Sequence, residues 1–457
     1  MRPSLAEALR RASQLVPAAS FLALLAMVAL WGVDLPHWDQ IGFAPLVVDL
    51  FEDELALSDL AERHNEHSLF FPRLVMLGLA AVTRWDVRVE LYTIALLAGV
   101  VFLAVPLALR RMPNGELSAR ARRALLIATA LLVFSPNQWE NWVWGWQIQV
   151  LLSVAAVVWS LVLLWSWPGR LLAVLAAALC GVVATFSYAN GVIVWPVGIG
   201  LLIARRPRLT RCLVAYSVVA LAAIAVLLST GDSVPGVAFP QDAARWLGFS
   251  YYFLRYLGAV VWGAVDGRLA ASAGAAALLA WVLLGLFSLR GGDATRKASE
   301  LWLALGAYAV LSGLLTALGR YETHPLSALT PRYWTVSNFL WISILGLVSL
   351  RPPPGSRRLQ AAVCGLILLL VPGWVYGGVR GASLAHGQHR PRVEIRQTLL
   401  EDRFTEAAAS HMHPNRQILR RNLMELCRSR LGIFREVEPS FPCELADYGS
   451  RTRRQSD

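Results

Sequence analysis

The chain of 457 residues is 56 % hydrophobic and 16 % charged, with a mean hydropathy of +0.51, a balance that excludes an ordinary soluble domain. Its formal charge of +12 arises from 42 basic against 30 acidic residues. The basic residues, all arginine except Lys297, cluster in short loops at the ends of apolar runs, which marks membrane topology and excludes a nucleic-acid-binding stripe.

Several runs reach the roughly 20 apolar residues that cross a bilayer. The chain is therefore expected to be all-α, a polytopic bundle of transmembrane helices. Arg2, Arg10 and Arg11 place the N-terminus inside, and the first apolar run, 14–34, lacks a cleavage pattern and is expected to be retained. The segment Asp34–Glu66 follows on the outer side and holds nine of the 30 acidic residues against one arginine. Within it Val47, Leu50, Phe51, Leu57, Leu60 and Ala61 recur near a helical period, which predicts an amphipathic surface helix with Asp49, Glu52, Asp53, Asp59 and Glu62 on its wet face.

The next apolar run, Leu69–Val82, is short for a span, and the arginine cluster Arg110, Arg111, Arg120, Arg122 and Arg123 must lie inside. The run is thus assigned to the outer side, so that 34–88 forms one long outer loop. Inside clusters recur at Arg205–Arg211, Arg290–Lys297 and Arg351–Arg358. Ala243–Gly263 carries Arg245 and Arg255 among aromatics and reads as another outer-surface helix. Parity then gives about eleven crossings, near 14–34, 89–109, 121–136, 147–167, 170–188, 190–204, 212–230, 269–289, 299–319, 333–350 and 359–379. This makes 1–379 a transmembrane domain and leaves 380–457 as a small, polar, helical C-terminal tail domain on the outer side. Cys427 and Cys443 in that tail are expected to pair in an oxidising compartment, the alternative being two free thiols on the inner side. Cys180, Cys212 and Cys364 read as packing residues.

Three polar clusters fall on the outer side. In the first, Asp39 precedes the amphipathic run, where Trp38 and Phe43 would desolvate it as a general base requires, and Asp34 stands at the end of the span. His64-Asn65-Glu66-His67 sets two imidazoles beside a carboxylate. Without a third ligand at fixed spacing it reads as a substrate-binding group (His64, Glu66, His67) or as a cap on the Leu69–Val82 helix sooner than as a divalent metal site, and no cofactor is expected. In the second, Asn137–Gln147 has four tryptophans in eight residues interleaved with amides and a carboxylate. It reads either as an aromatic belt or as a sugar platform, in which Trp139 and Trp144 stack on rings and Glu140, Asn141 and Gln147 bind hydroxyls. Asn190 in Ser187–Gly191 lies at the same depth. The third holds Arg320, His324, Arg332 and Tyr333. Arginines on the outer side run against the positive-inside bias, and with a tyrosine hydroxyl they suit a phosphate; a headgroup anchor or an ion pair with Glu322 is the competing reading.

An outer loop with an early acidic residue, the strings HNEHSLFFPRL, SPNQWENWVWGWQIQ, FSYANGVIVWP and TPRYWT, and the many spans that follow resemble the GT-C superfamily of integral-membrane glycosyltransferases, over roughly residues 14–350. The resemblance implies a polyprenyl-phosphate or polyprenyl-diphosphate sugar donor and a glycan, lipid or protein acceptor of the envelope. It implies chemistry at the periplasmic face of a bacterial inner membrane, with no nucleic acid involved. By position Asp39 would be the catalytic base, Asp34 its substitute, and Arg320 and Arg332 with Tyr333 would hold the phosphate. The paired acidic residues of many members are missing, since Gln40 follows Asp39. The same composition is open to a transporter or flippase of a lipid-linked glycan, and to a non-catalytic envelope protein. A transporter should carry ionisable groups near the middle of its spans, whereas here the polar clusters gather at one end.

Overall fold

The structure is a computed structural model that describes residues 5–65, 67–205, 210–229, 239–352, 355–401, 405–438 and 440–443. It is almost wholly helical, with one two-residue hairpin, Arg63–His64 paired with His67–Ser68. The helices are α1 Leu5–Trp31, α2 Asp39–Phe51, α3 Leu57–Ala61, α4 Phe70–Thr83, α5 Val87–Arg111, α6 Ala119–Val133, α7 Trp139–Trp142, α8 Ile148–Ser166 and α9 Leu171–Thr185. They continue as α10 Val194–Ala204, α11 Thr210–Ser229, α12 Ala243–Trp262, α13 Gly267–Leu289, α14 Asp293–Arg320, α15 Trp334–Ser349, α16 Arg357–Leu400, α17 Glu406–Met412 and α18 Arg416–Arg428.

Seven of these, α1, α5, α8, α11, α13, α14 and α16, are long and apolar enough to cross a membrane. Each of the eleven segments expected to span coincides with a helix, the remaining four being α6, α9, α10 and α15. Polar side chains begin several of them: Asp86, Ser118, Asp242, Asp266 and Asn415 each accept a hydrogen bond from the free N–H groups of the first turn. The bundle has an inside and a rim. The apolar stretch at α8 is 83 % buried, whereas those of α1 and α16 are 17 % buried and turn leucines such as Leu22, Leu30, Leu368 and Leu369 outward. A belt of exposed aliphatic side chains around a packed core is what a hydrocarbon solvent accommodates and water does not.

The two ends of the bundle differ in chemistry. At one end Arg111 stacks on Trp167, Arg205 pairs with Glu300 at 2.6 Å, and Arg351 donates its N–H to the Glu116 carbonyl. The described inside-type arginines thus collect there. At the other end lie α2, α3, α4, α7, the 320–334 turn and the C-terminal segment. α12 sits among them, with Arg245 3.5 Å from Glu322 and the Tyr252 hydroxyl 2.9 Å from Ser327. It is not detached from the bundle. Gly258 lies so close to α13 that a Cβ there would come within 1.9 Å of the Ala270 carbonyl, and the Phe249–Tyr256 face is buried.

The acidic loop folds as two helices rather than one amphipathic run, because the chain turns at Asp53, whose φ is +59°. Glu52, Asp53 and Glu62 are exposed as expected and Asp49 and Asp59 are half-buried, but α2 buries Ile41, Phe43, Ala44, Val47 and Val48 against the protein.

The expected domain boundary at 379/380 falls inside α16, which runs on to Leu400 and keeps Ala385, Ile395 and Leu399 buried. The segment beyond it docks on the loop that follows α1. Asn422 donates to the Ile41 carbonyl, Trp38 N–H to Met412, and Gly432 N–H to Arg84. Arg435 forms ion pairs with Asp34 and Asp86. A disulfide joins Cys427 to Cys443.

Candidate functional site

The loop-bearing end encloses a cavity of about 240 Å³ lined by His37, Trp38, Trp139, Glu140, Trp144, Arg332, Gln388 and Arg392. Four separate stretches of chain build it. Ser135 caps a 3-10 turn opened by Pro136, and Trp142 returns its indole N–H to the Ser135 carbonyl, so the Trp139–Trp142 helix is wound tightly over that turn. Asn141 donates to the Thr335 hydroxyl at 2.7 Å and to the Arg332 carbonyl at 3.3 Å. Those bonds fix α7 against the turn that carries Arg332. The Trp144 indole N–H donates to the His37 carbonyl at 3.0 Å, which ties the tryptophan loop to the loop that follows α1. From α16, Arg392 donates to the Val143 carbonyl and closes the remaining side.

The charged groups of the cavity are one acid and two bases. Glu140 stands 3.4 Å from Arg332, and that guanidinium also faces the rings of Tyr333 and Trp144 at 5.5 and 6.0 Å. Burial pushes the Glu140 carboxyl above the usual glutamate range, with Arg332 and Arg392 pulling the other way. Burial, helped by Arg392 and His411, pushes His37 down to about 3, so its imidazole is neutral at ordinary pH. The cavity thus offers a carboxylate suited to accept a proton, guanidinium donors for an anion, indole faces for an apolar or sugar surface, and an uncharged imidazole.

The residues singled out from the sequence divide between this cavity and its supports. Trp139, Glu140, Trp144 and Arg332 line it. Tyr333 is buried beneath Arg332, and Arg320 and His324 lie outside the lining, at the end of α14 and in the turn after it. Asn141 and Gln147 are buried, Asn141 as a strut for Arg332. Asn190 donates to the Thr316 hydroxyl, also inside the protein.

Asp39 follows the cavity residue Trp38 without lining the cavity itself. Its carboxylate is 3.6 Å from His64 Nε2, and its side chain is 38 % exposed. The expected desolvation does not arise, because Phe43 turns into the core and Trp38 into solvent. His64 packs edge-on against Trp146, while His67 stacks on Tyr188, so the two imidazoles serve different partners. Glu66 lies outside the described residues, which contain no group of three or more metal-ligating side chains. Asp34 is 4 % exposed, accepts from the Val87 N–H, and is paired with Arg435; these contacts hold the tail to the loop.

Sequence reasoning missed Gln388 and Arg392, which lie in the segment read as a separate tail. It also missed Glu90, fully buried between Gln40 and Trp85 beneath the tryptophan loop. A polar stretch continuing a span in helical phase was the available signal for Arg392; a glutamate in the first turn of a helix is too common to mark Glu90.

Comparison of the chain with family models, curated proteins and solved structures yields no match.

Proposed function

We propose that the protein is a membrane glycosyltransferase of the GT-C kind, moving a sugar from a polyprenyl-phosphate or polyprenyl-diphosphate donor to an envelope glycan, lipid or protein. The work is done at the outer face of a bacterial inner membrane, with about eleven crossings. The observation that carries this reading is the cavity itself: an acid, two guanidinium groups and three tryptophans meet at the end of the bundle away from the inside-type arginines. The disulfide on that same end supports an oxidising compartment.

In this reading Arg332 binds the donor phosphate and Glu140 takes the acceptor's proton. The acceptor oxygen attacks the anomeric carbon as the bond from that carbon to the phosphate oxygen breaks. The electron pair leaves with the phosphate, where Arg332 stabilises the growing charge. Donor and Glu140 compete for one guanidinium. A phosphate on Arg332 withdraws the partner that holds Glu140 ionised, and so strengthens it as a base when the donor is in place. The half-exposed Asp39–His64 pair, one residue from the cavity, is the second candidate for proton acceptor.

Donor binding tests the phosphate assignment. Titrated with undecaprenyl phosphate in detergent, the full chain should bind it saturably and Arg332→Gln should bind at least about tenfold more weakly, the loss of one charge-assisted pair. Equal affinity in the variant would reject the assignment.

A further inference from the structure

A second cavity, about 260 Å³, opens beside the first and shares His37, Trp38, Gln388 and Arg392 with it. Its remaining wall comes from Leu35 and from the C-terminal segment, through Pro391, Ile395, Ser410, His411 and Met412. No aspartate or glutamate lines it, and Arg392 is its one permanently charged group. Arg392 spends a terminal nitrogen on the Val143 carbonyl, yet its Nε is buried without a hydrogen-bond partner, and it forms no ion pair among the described residues. A buried guanidinium with an unsatisfied N–H, at the wall of a cavity, fits a ligand carboxylate.

Trp38 supplies the second observation. Its φ of +51° and ψ of −119° is a conformation that side-chain-bearing residues avoid. The bond from its N–H to the Met412 carbonyl, from the C-terminal segment, holds it there. The indole is left 46 % exposed at the edge shared by both cavities. An aromatic face so held, with Gln388, neutral His37 and Arg392 around it, has the makings of a sugar site for a ring that carries negative charge.

We propose that this compartment seats a uronic-acid-type saccharide, with Arg392 binding its carboxylate and Trp38 stacking on its ring. The C-terminal extension would then select the acceptor. The acceptor role rests on the glycosyltransferase reading; the binding of an acidic saccharide does not.

The test is a titration of the purified full chain with tetragalacturonate, against maltotetraose as the neutral control. The expected result is saturable binding of tetragalacturonate, at least tenfold weaker in Arg392→Gln and in Trp38→Ala. Arg392→Lys, which keeps the charge and loses the fork, should fall between wild type and Arg392→Gln, and thermal unfolding should show all variants folded. No binding by the wild type, equal binding of the neutral oligosaccharide, or full binding by folded Arg392→Gln would each overturn the proposal. Tetragalacturonate binding by a protein that fails to bind undecaprenyl phosphate would leave this site standing and remove the transferase reading alone.

Discussion

The Glu140 carboxylate and the Arg332 guanidinium lie 3.4 Å apart across a cavity whose second guanidinium, Arg392, comes from a helix that leaves the bundle. Exposed ion pairs of this kind contribute little to stability. This one is partly buried, and both members face the cavity, so each is available to a ligand as well as to the other.

On the proposed glycosyltransferase reading, the pH dependence of transfer follows from that pair. A general base must be ionised, so activity should fall as pH falls through the pKa of Glu140, which burial holds above the ordinary 4.5. Arg332 pulls that value down, so Arg332→Gln should move the acidic limb of the kcat/KM profile to higher pH while lowering its plateau. His37, neutral because its pKa is near 3, should contribute no limb, and His37→Gln should leave the profile's shape unchanged. A limb near pH 6.5 that vanishes in His37→Gln would contradict the assignment.

Asp34 and Arg435 are paired across 401 positions of chain, with side chains 4 % and 11 % exposed. Removing one member of a buried pair strands the other, at a cost of about 3–5 kcal/mol. Arg435→Ala should therefore lower the thermal unfolding temperature clearly, and the double variant Asp34→Asn/Arg435→Gln should lower it less. Burial raises the Asp34 pKa from 3.8, so the folded state binds that proton more tightly than the unfolded chain. The contribution of Asp34 is then most favourable at low pH and is lost as pH rises through its folded value. Acid should accordingly narrow the gap between Arg435→Ala and wild type. A gap that widens in acid would contradict this.

Gly145 sits against Glu90 and Gln40, so that a Cβ would fall 2.1 Å from Glu90 Oε2 and 2.5 Å from Gln40 Nε2. Gly145→Ala must displace either the hydrogen-bonded Glu90 and Gln40 side chains or the stretch of chain that carries Trp144 and Trp146. Overpacking of this sort costs about 1–3 kcal/mol. The variant should unfold at lower temperature and bind undecaprenyl phosphate more weakly, since Trp144 lines the cavity beside Arg332. A variant unchanged in both respects would show that the tryptophan loop is not held by this contact.

Much of the frame was legible because it follows from local chemistry. Arginine clusters marked one end of the bundle, and the polar strings around Glu140 and Arg332 marked the other, since long apolar helices leave polar residues only at their ends. The Cys427–Cys443 pairing was legible for a similar reason, two cysteines close together in one polar segment. What stayed hidden depends on contacts between distant parts of the chain. Nothing local at Arg392 or Met412 says that they meet Val143 and Trp38, and nothing at Asp34 names Arg435 as its partner. Asp39 drew notice through its apolar neighbours in sequence, but helical geometry sends Phe43 inward and leaves the carboxylate partly in solvent. Glu140, in the same chain, reached a partly buried position that its neighbours in sequence did not advertise.

The most direct test is the mass of the envelope glycans in cells that lack the gene and carry wild type, Glu140→Gln or Asp39→Asn in its place. The account predicts a sugar mass that disappears with the gene, returns with wild type, and stays absent or is reduced at least about a hundredfold with Glu140→Gln at equal protein level, as loss of a general base requires. Asp39→Asn should restore most of it. Glycans that are identical with and without the gene, or fully restored by Glu140→Gln, would contradict the account.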